Sequence, residues 1–196
     1  MRGKPQKPIA TAASARRTFR ARMAEPPKDR SVDNEPQPGV RQPGAMQTPQ
    51  LEPVFDLTAT VSPPIDVGDT PQGRRRLIPI LEGKVTGTLQ GRILPGGADA
   101  QLISTATLTT MQARYVIETD QRELVYVENT GMRVATPEVM ARLNRGEVVD
   151  PSLIYFRSAP RFETASPRLA WLMTSLFVAS GARFPDRVEL RVFRVT

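Results

Sequence analysis

The chain has 196 residues, with 27 Lys and Arg against 20 Asp and Glu, a net charge of +7, 39% hydrophobic and 24% charged residues. At ~100–200 residues per domain, this length favours one folded domain. Cysteine and histidine are both absent, which excludes disulfides, zinc-finger and iron–sulfur sites, cysteine nucleophiles, Ser-His-Asp triads and imidazole-dependent metal centres. Chemistry is left to carboxylates, tyrosines, arginines, lysines and hydroxyls, so no metal and no cofactor are expected.

Residues 1–45 hold ten of the Lys and Arg against four acids, so the charge belongs to this leading segment and the rest of the chain is near neutral. Prolines at 5, 8, 26, 27, 36, 38, 43 and 49 break any helix or strand. Residues 1–50 read as a disordered, basic, Pro-rich extension. Met46 stands just before the first patterned strand and Met23 offers another start, so translation from Met46 would make residues 1–45 a mis-assigned beginning. The arginine-rich stretch 13–23 is not followed by the ~7–15 apolar residues of a secretory signal. No window approaches the ~18 apolar residues of a membrane span. The expectation is a cytoplasmic protein without a membrane partner. A short cationic segment reads as solvated rather than as a specific nucleic-acid site.

From Leu51 the pattern changes. Phe55, Leu57, Ala59 and Val61 alternate with Asp56, Thr58 and Thr60, the period of a half-buried strand. Pro63-Pro64 ends it, a loop over 66–73 follows, and the next strand covers Arg75–Leu81. Gly83, Gly87 and Gly91 recur among strand residues, where glycine marks bulges, barrel corners or close backbone approach. After the turn Pro95-Gly96-Gly97, strands are expected at Gln101–Thr107, Gln112–Thr119, Glu123–Asn129, Leu153–Ser158 and Val188–Val195. Thr136-Pro137-Glu138 opens a short helix that Gly146 stops, and Ser166-Pro167 opens another through Leu172. Many short strands with Gly/Pro turns give an all-β fold, and the glycines favour an antiparallel β-barrel with one or two short helices. The domain is therefore set at 51–196.

Phosphate-loop, dinucleotide-binding and nucleophile-elbow motifs are absent. The polar residues that stand out are Asp99 behind the glycine turn, Arg114 beside Tyr115 in an apolar strand, Tyr155 and Arg157 on one face of a strand with Phe156 on the other, and Glu163 beyond Pro160. If these converge inside the barrel, Arg114 or Arg157 would grip a carboxylate. Tyr155 would donate to a developing enolate oxygen, and Asp99 or Glu163 would serve as general base. Arg75, within the run Arg74-Arg75-Arg76, would meet an anionic ligand at the barrel mouth. Trp171, on its short helix, would plug an open end where a ligand sits. Each also has a structural reading: an edge arginine, a turn aspartate, a cross-strand ion pair, a packing aromatic.

The order Gly68-x-Thr70-Pro71-x-Gly73-x-Arg75, Pro95-Gly96-Gly97-Ala98-Asp99, Ala113-Arg114-Tyr115, Tyr155-Phe156-Arg157, Phe162-Glu163-Thr164 and Trp171-Leu172 resembles the domain-of-unknown-function 3237 family (uncharacterised protein family 0311) over residues about 51–195. The resemblance implies a compact antiparallel β-barrel of bacterial and fungal proteins and carries no established activity. An aromatic tends to follow the Gly-Gly-Ala-Asp turn in that family, and Ala100 stands here. Gln112 and Met173 likewise replace polar family residues, which implies a roomier, less polar site. The reading is a barrel binding a small organic ligand, with a cofactor-independent lyase, isomerase or cyclase acting on a carbonyl or carboxylate compound as its catalytic form. The alternative is a non-catalytic interaction module, a homo-oligomer, whose polar residues are structural ion pairs.

Overall fold

Val54, Phe55, Leu57, Ala59 and Val61 are buried in strand β1 (Leu51–Val61), so the first alternating segment supplies one stave of the core, as its period requires. The computed structural model describes residues 46–196, so of the extension expected to be disordered over residues 1–50, residues 1–45 lie outside the described residues. Nine further strands follow: β2 (Ile65–Thr70), β3 (Gly73–Gly87), β4 (Gly91–Ile93), β5 (Gly97–Ile103), β6 (Leu108–Thr119), β7 (Leu124–Val134), β8 (Tyr155–Thr164), β9 (Leu176–Arg183) and β10 (Arg187–Val195). Helix α1 (Pro137–Asn144) lies between β7 and β8, and short 3₁₀ segments occupy Pro151–Leu153 and Pro167–Leu172.

All pairings are antiparallel. They run from β1 through β10, β9, β8 and β7 to β6, and β3 returns to β1. Strand β3 is long enough to carry β2 and β1 end to end along one side, and β5 and β4 along the other. The sheet therefore closes with eight positions around the barrel and no free seam.

The recurring glycines stand where strands crowd. A Cβ on Gly83 would meet the Thr58 carbonyl oxygen at 2.4 Å, and one on Gly91 would meet that of Glu118 at 2.2 Å. The expected helix forms over Pro137–Asn144, with Thr136 Oγ1 accepting from the Val139 amide at 3.4 Å and Gly146 at φ +79° behind its end. The second expected helix is the 3₁₀ segment Pro167–Leu172, whose Leu169 and Leu172 are buried. Phe162 packs edge-on against Phe55 (5.8 Å between centroids) and Phe177 (5.1 Å), and Trp171 closes on Phe177 at 5.7 Å.

Several strand limits differ from the sequence pattern. The turn at Pro95-Gly96 launches β5 at Gly97, four residues before the expected strand, and β5 ends at Ile103. The expected loop over 66–73 contains β2, paired to β3 through a bulge at Gly68 (φ +93°). Strands β6, β7 and β8 exceed their apolar runs because ladder hydrogen bonds continue through polar residues. Strand β9 has no expected counterpart: Ala179, Ser180 and Gly181 dilute its pattern. Among the described residues no helix is long and apolar enough to cross a membrane.

Candidate ligand site in the barrel interior

Residues paired across an antiparallel ladder point to the same face, so the register shows what lines the inside. One ring runs Ile78, Asp99, Ala113, Asn129. The next runs Gln101, Met111, Gly131, Ser158, Ala179. A third contains Thr109, Arg133 and Phe156. These rings surround a cavity of about 60 Å³, also lined by Tyr115, Arg183 and apolar side chains of β1 and β10. A single water needs ~10–15 Å³, so the space suits a few waters or one small organic molecule.

The polar groups form a chain across this cavity. Arg133 and Gln101 are 5% and 3% exposed, and Arg133 Nη2 donates to Gln101 Oε1 at 3.0 Å. Gln101 Nε2 donates in turn to Asp99 Oδ2 at 2.6 Å. Four shielded atoms around the cavity have no protein partner: Asp99 Oδ1, Asn129 Oδ1, Arg133 Nε and Ser158 Oγ. Arg133 also lies over the Phe156 ring, 5.9 Å from its centroid. Arg183 reaches the rim, donating to the carbonyls of Arg187 (3.4 Å) and Pro185 (3.2 Å).

Two guanidiniums thus face one carboxylate. Desolvation raises the Asp99 pKa, against the Gln101 hydrogen bond, the charge of Arg133, a backbone hydrogen bond from Gln112 and the charge of Arg183, which pull it down. Desolvation pushes Arg133 down to about 10, against the attraction of Asp99. Burial alone raises the Tyr115 hydroxyl, which stays protonated and able to donate.

Of the residues expected to converge, the structure brings Asp99 alone into this cavity. In β8 the buried residues are Phe156, Ser158, Pro160 and Phe162, so Tyr155, Arg157 and Glu163 occupy the opposite, exposed face. Arg157 stacks over the Tyr155 ring at 5.2 Å and donates to the carbonyl of Phe156 at 2.8 Å. Arg114, out of phase with Met111, Ala113 and Tyr115, pairs outside with Glu128 at 2.7 Å. Arg75 is exposed, whereas its neighbour Arg76 turns inward, 3.7 Å from Asp66 and hydrogen-bonded to Asn144 of α1 at 3.2 Å. Trp171 packs against Phe177 and is not among the cavity residues, which fits a plug rather than a ligand contact. Ala100 and Gln112 pair with each other on the outward face and Met173 is exposed, so the family-pattern departures leave the interior unchanged.

The interior residues that sequence reasoning passed over are Gln101, Asn129, Arg133, Ser158 and Arg183. They carried a signal. Asn129 and Arg133 fall in phase with Val125 and Val127, and Ser158 falls in phase with Phe156 and Phe162. A polar residue on the apolar phase of a strand marks an interior polar group. Among the described residues, no cluster of three or more carboxylates could hold a metal ion.

Fold and interior together define a small closed antiparallel barrel with a charged, incompletely paired centre. The chain belongs to the family described as "Protein of unknown function (DUF3237)", whose model matches residues 49–195. It is 47% identical over 150 residues to the UPF0311 protein blr7842 of Bradyrhizobium diazoefficiens, covering 76% of this chain and 99% of that one. Among solved structures it resembles the conserved protein RPA1785 of Rhodopseudomonas palustris, with 45% identity, TM-score 0.73, and 77% and 99% of the two chains covered. It also resembles a beta-barrel like protein of Acinetobacter baumannii, with 34% identity, TM-score 0.68, and 77% and 98% covered.

Proposed function

We propose that the barrel binds a small organic molecule of the carboxylate or carbonyl class in its interior, between Asp99 and the guanidiniums of Arg133 and Arg183. The observation that carries this reading is the set of four shielded, unpartnered polar atoms around one cavity. Each such atom costs ~1–3 kcal/mol when left unpaired, so a guest that offers both donors and acceptors would be held. Arg133 Nε calls for an acceptor, Asp99 Oδ1 and Asn129 Oδ1 call for donors, and Ser158 Oγ takes either.

The charge balance supports an anionic guest. Two lining arginines face a single lining carboxylate, whereas several outer arginines are matched by acids, among them Arg114 with Glu128, Arg191 with Asp56 and Arg92 with Glu118. The reading is tested by saturation-transfer NMR with a set of small keto acids and monocarboxylates. Binding should be seen with the native chain, lost in Arg133→Met and retained in Arg114→Ala, Arg157→Ala and Glu163→Gln. Binding that survives Arg133→Met, with the variant's fold verified by circular dichroism, would overturn it.

A further inference from the structure

Asp99 and Arg133 are opposite charges on one cavity that do not meet. No ion pair within 4.0 Å joins them among the described residues; the Gln101 amide stands between, bonded to Arg133 Nη2 on one side and to Asp99 Oδ2 on the other. A direct pair would consume the inward-facing atoms of both. The spacer instead leaves Asp99 Oδ1 and Arg133 Nε unpartnered and shielded from water around the same small cavity.

We propose that this separated pair transfers a proton at carbon: Asp99 is the general base that removes the proton next to a carbonyl, and Arg133 holds the carbonyl oxygen as negative charge develops on it. The inference rests on the reading of the interior as a ligand site and deepens it by naming the reaction and its substrates, small keto acids or ketones with an acidic C–H. The step balances without a co-reactant. The Asp99 carboxylate takes the proton, the C–H electron pair becomes the carbon–carbon double bond, and the carbonyl π pair moves onto oxygen. In the reverse direction Asp99 returns the proton to the same carbon, or to another carbon of a conjugated substrate.

Two features fit the roles. With Glu163 on the outer face, Asp99 is the carboxylate lining this cavity, and its burial makes it a stronger base than an exposed aspartate. Arg133 is fixed before any ligand arrives, held by Gln101 and by the Phe156 ring. A preset donor at a developing oxyanion loses nothing to reorganisation. Gln101 is a positioning residue in this scheme.

The experiment uses the full chain in D₂O with 2-oxobutanoate and 4-oxopentanoate. Proton NMR follows loss of the α-proton signals, and saturation transfer is recorded on the same samples. The expected result is exchange at least tenfold above the buffer rate, falling to the buffer rate in Asp99→Asn with that variant's fold verified by circular dichroism. Saturation transfer without exchange in the native chain would overturn the proton-transfer step and leave the ligand site standing. Absence of both would overturn the site itself. Exchange undiminished in Asp99→Asn would overturn Asp99 as the base.

Discussion

The side-chain carbonyl of Gln101 accepts from Arg133 Nη2 at 3.0 Å, a buried bond that reaches from β7 over β6 to β5. It ties two strands that are not neighbours in the sheet, and it gives the interior guanidinium its protein hydrogen bond among the described residues. Gln101→Leu keeps much of the shape but removes the acceptor and the donor, leaving Arg133 and Asp99 both without this partner. The expected loss is ~1–3 kcal/mol in urea unfolding. Adding Arg133→Met should recover part of that loss, because a buried charge is then replaced by an apolar chain. A double variant weaker than Gln101→Leu would contradict this.

Asp99 makes stability fall as pH rises. Its pKa is raised in the folded chain, chiefly by desolvation, so between its unfolded and folded values the folded state holds the extra proton. Unfolding free energy then decreases with increasing pH. The contribution is complete below the unfolded value and lost above the folded one. Asp99→Asn cannot ionise, so relative to the native chain it should gain stability as pH rises from 3 through 7. Urea midpoints at these two values decide it; a flat difference would contradict the assignment.

Glu123 should behave in the opposite sense. Its carboxylate, on the turn between β6 and β7, accepts from Arg168 and Ser166 of the loop behind β8 and from Thr119 Oγ1 at 3.0 Å. The Arg168 hydrogen bond, then that of Ser166, brings its pKa down to about 2. The stability it contributes is present above its unfolded value of 4.5 and fades as pH falls towards 2. Glu123→Gln should therefore lower the thermal midpoint at pH 7, with the gap from the native chain closing towards pH 2. A gap that does not change with pH would assign the loss to packing instead.

Gly83 is a steric test of barrel closure. A Cβ there would fall 2.4 Å from the Thr58 carbonyl oxygen and 2.7 Å from Ile93 Cδ1, and Gly83 is the register partner of Ala59 across the β1–β3 seam. Gly83→Ala is expected to cost ~1–3 kcal/mol through overpacking. Gly96→Ala is the contrast: nothing lies within 4 Å of its Cβ, yet its φ of +104° strains any side chain. Hydrogen exchange separates the two mechanisms. Gly83→Ala should speed exchange along β1 and β3, while Gly96→Ala should affect only the turn before β5.

Much of the fold was legible because the strands alternate. The buried positions of β1 and the cap at Thr136 were readable residue by residue. Strand β9 was not, since its inward residues Ala179 and Gly181 are small and leave no apolar stripe. The site was less legible still. Tyr155 and Arg157 looked like interior groups because an aromatic and an arginine on one face suggest a pocket, yet Phe156, Ser158 and Phe162 fill the inside of β8. Arg133 was passed over because the expected strand stopped at Asn129, whereas β7 runs on to Val134.

The sequence by itself determined the all-β class, the helix at Pro137 and the absence of imidazole and thiol groups. Those follow from local rules: period, capping, composition and turn residues act within a few positions of the chain. Only the tertiary structure decided that Gln101 and Arg133, 32 residues apart, share a hydrogen bond, and that Arg114 and Glu163 spend their charge outside. Which polar side chains meet is set by strand register around a closed sheet. Register arises from all eight positions fitting together and is written in no single strand.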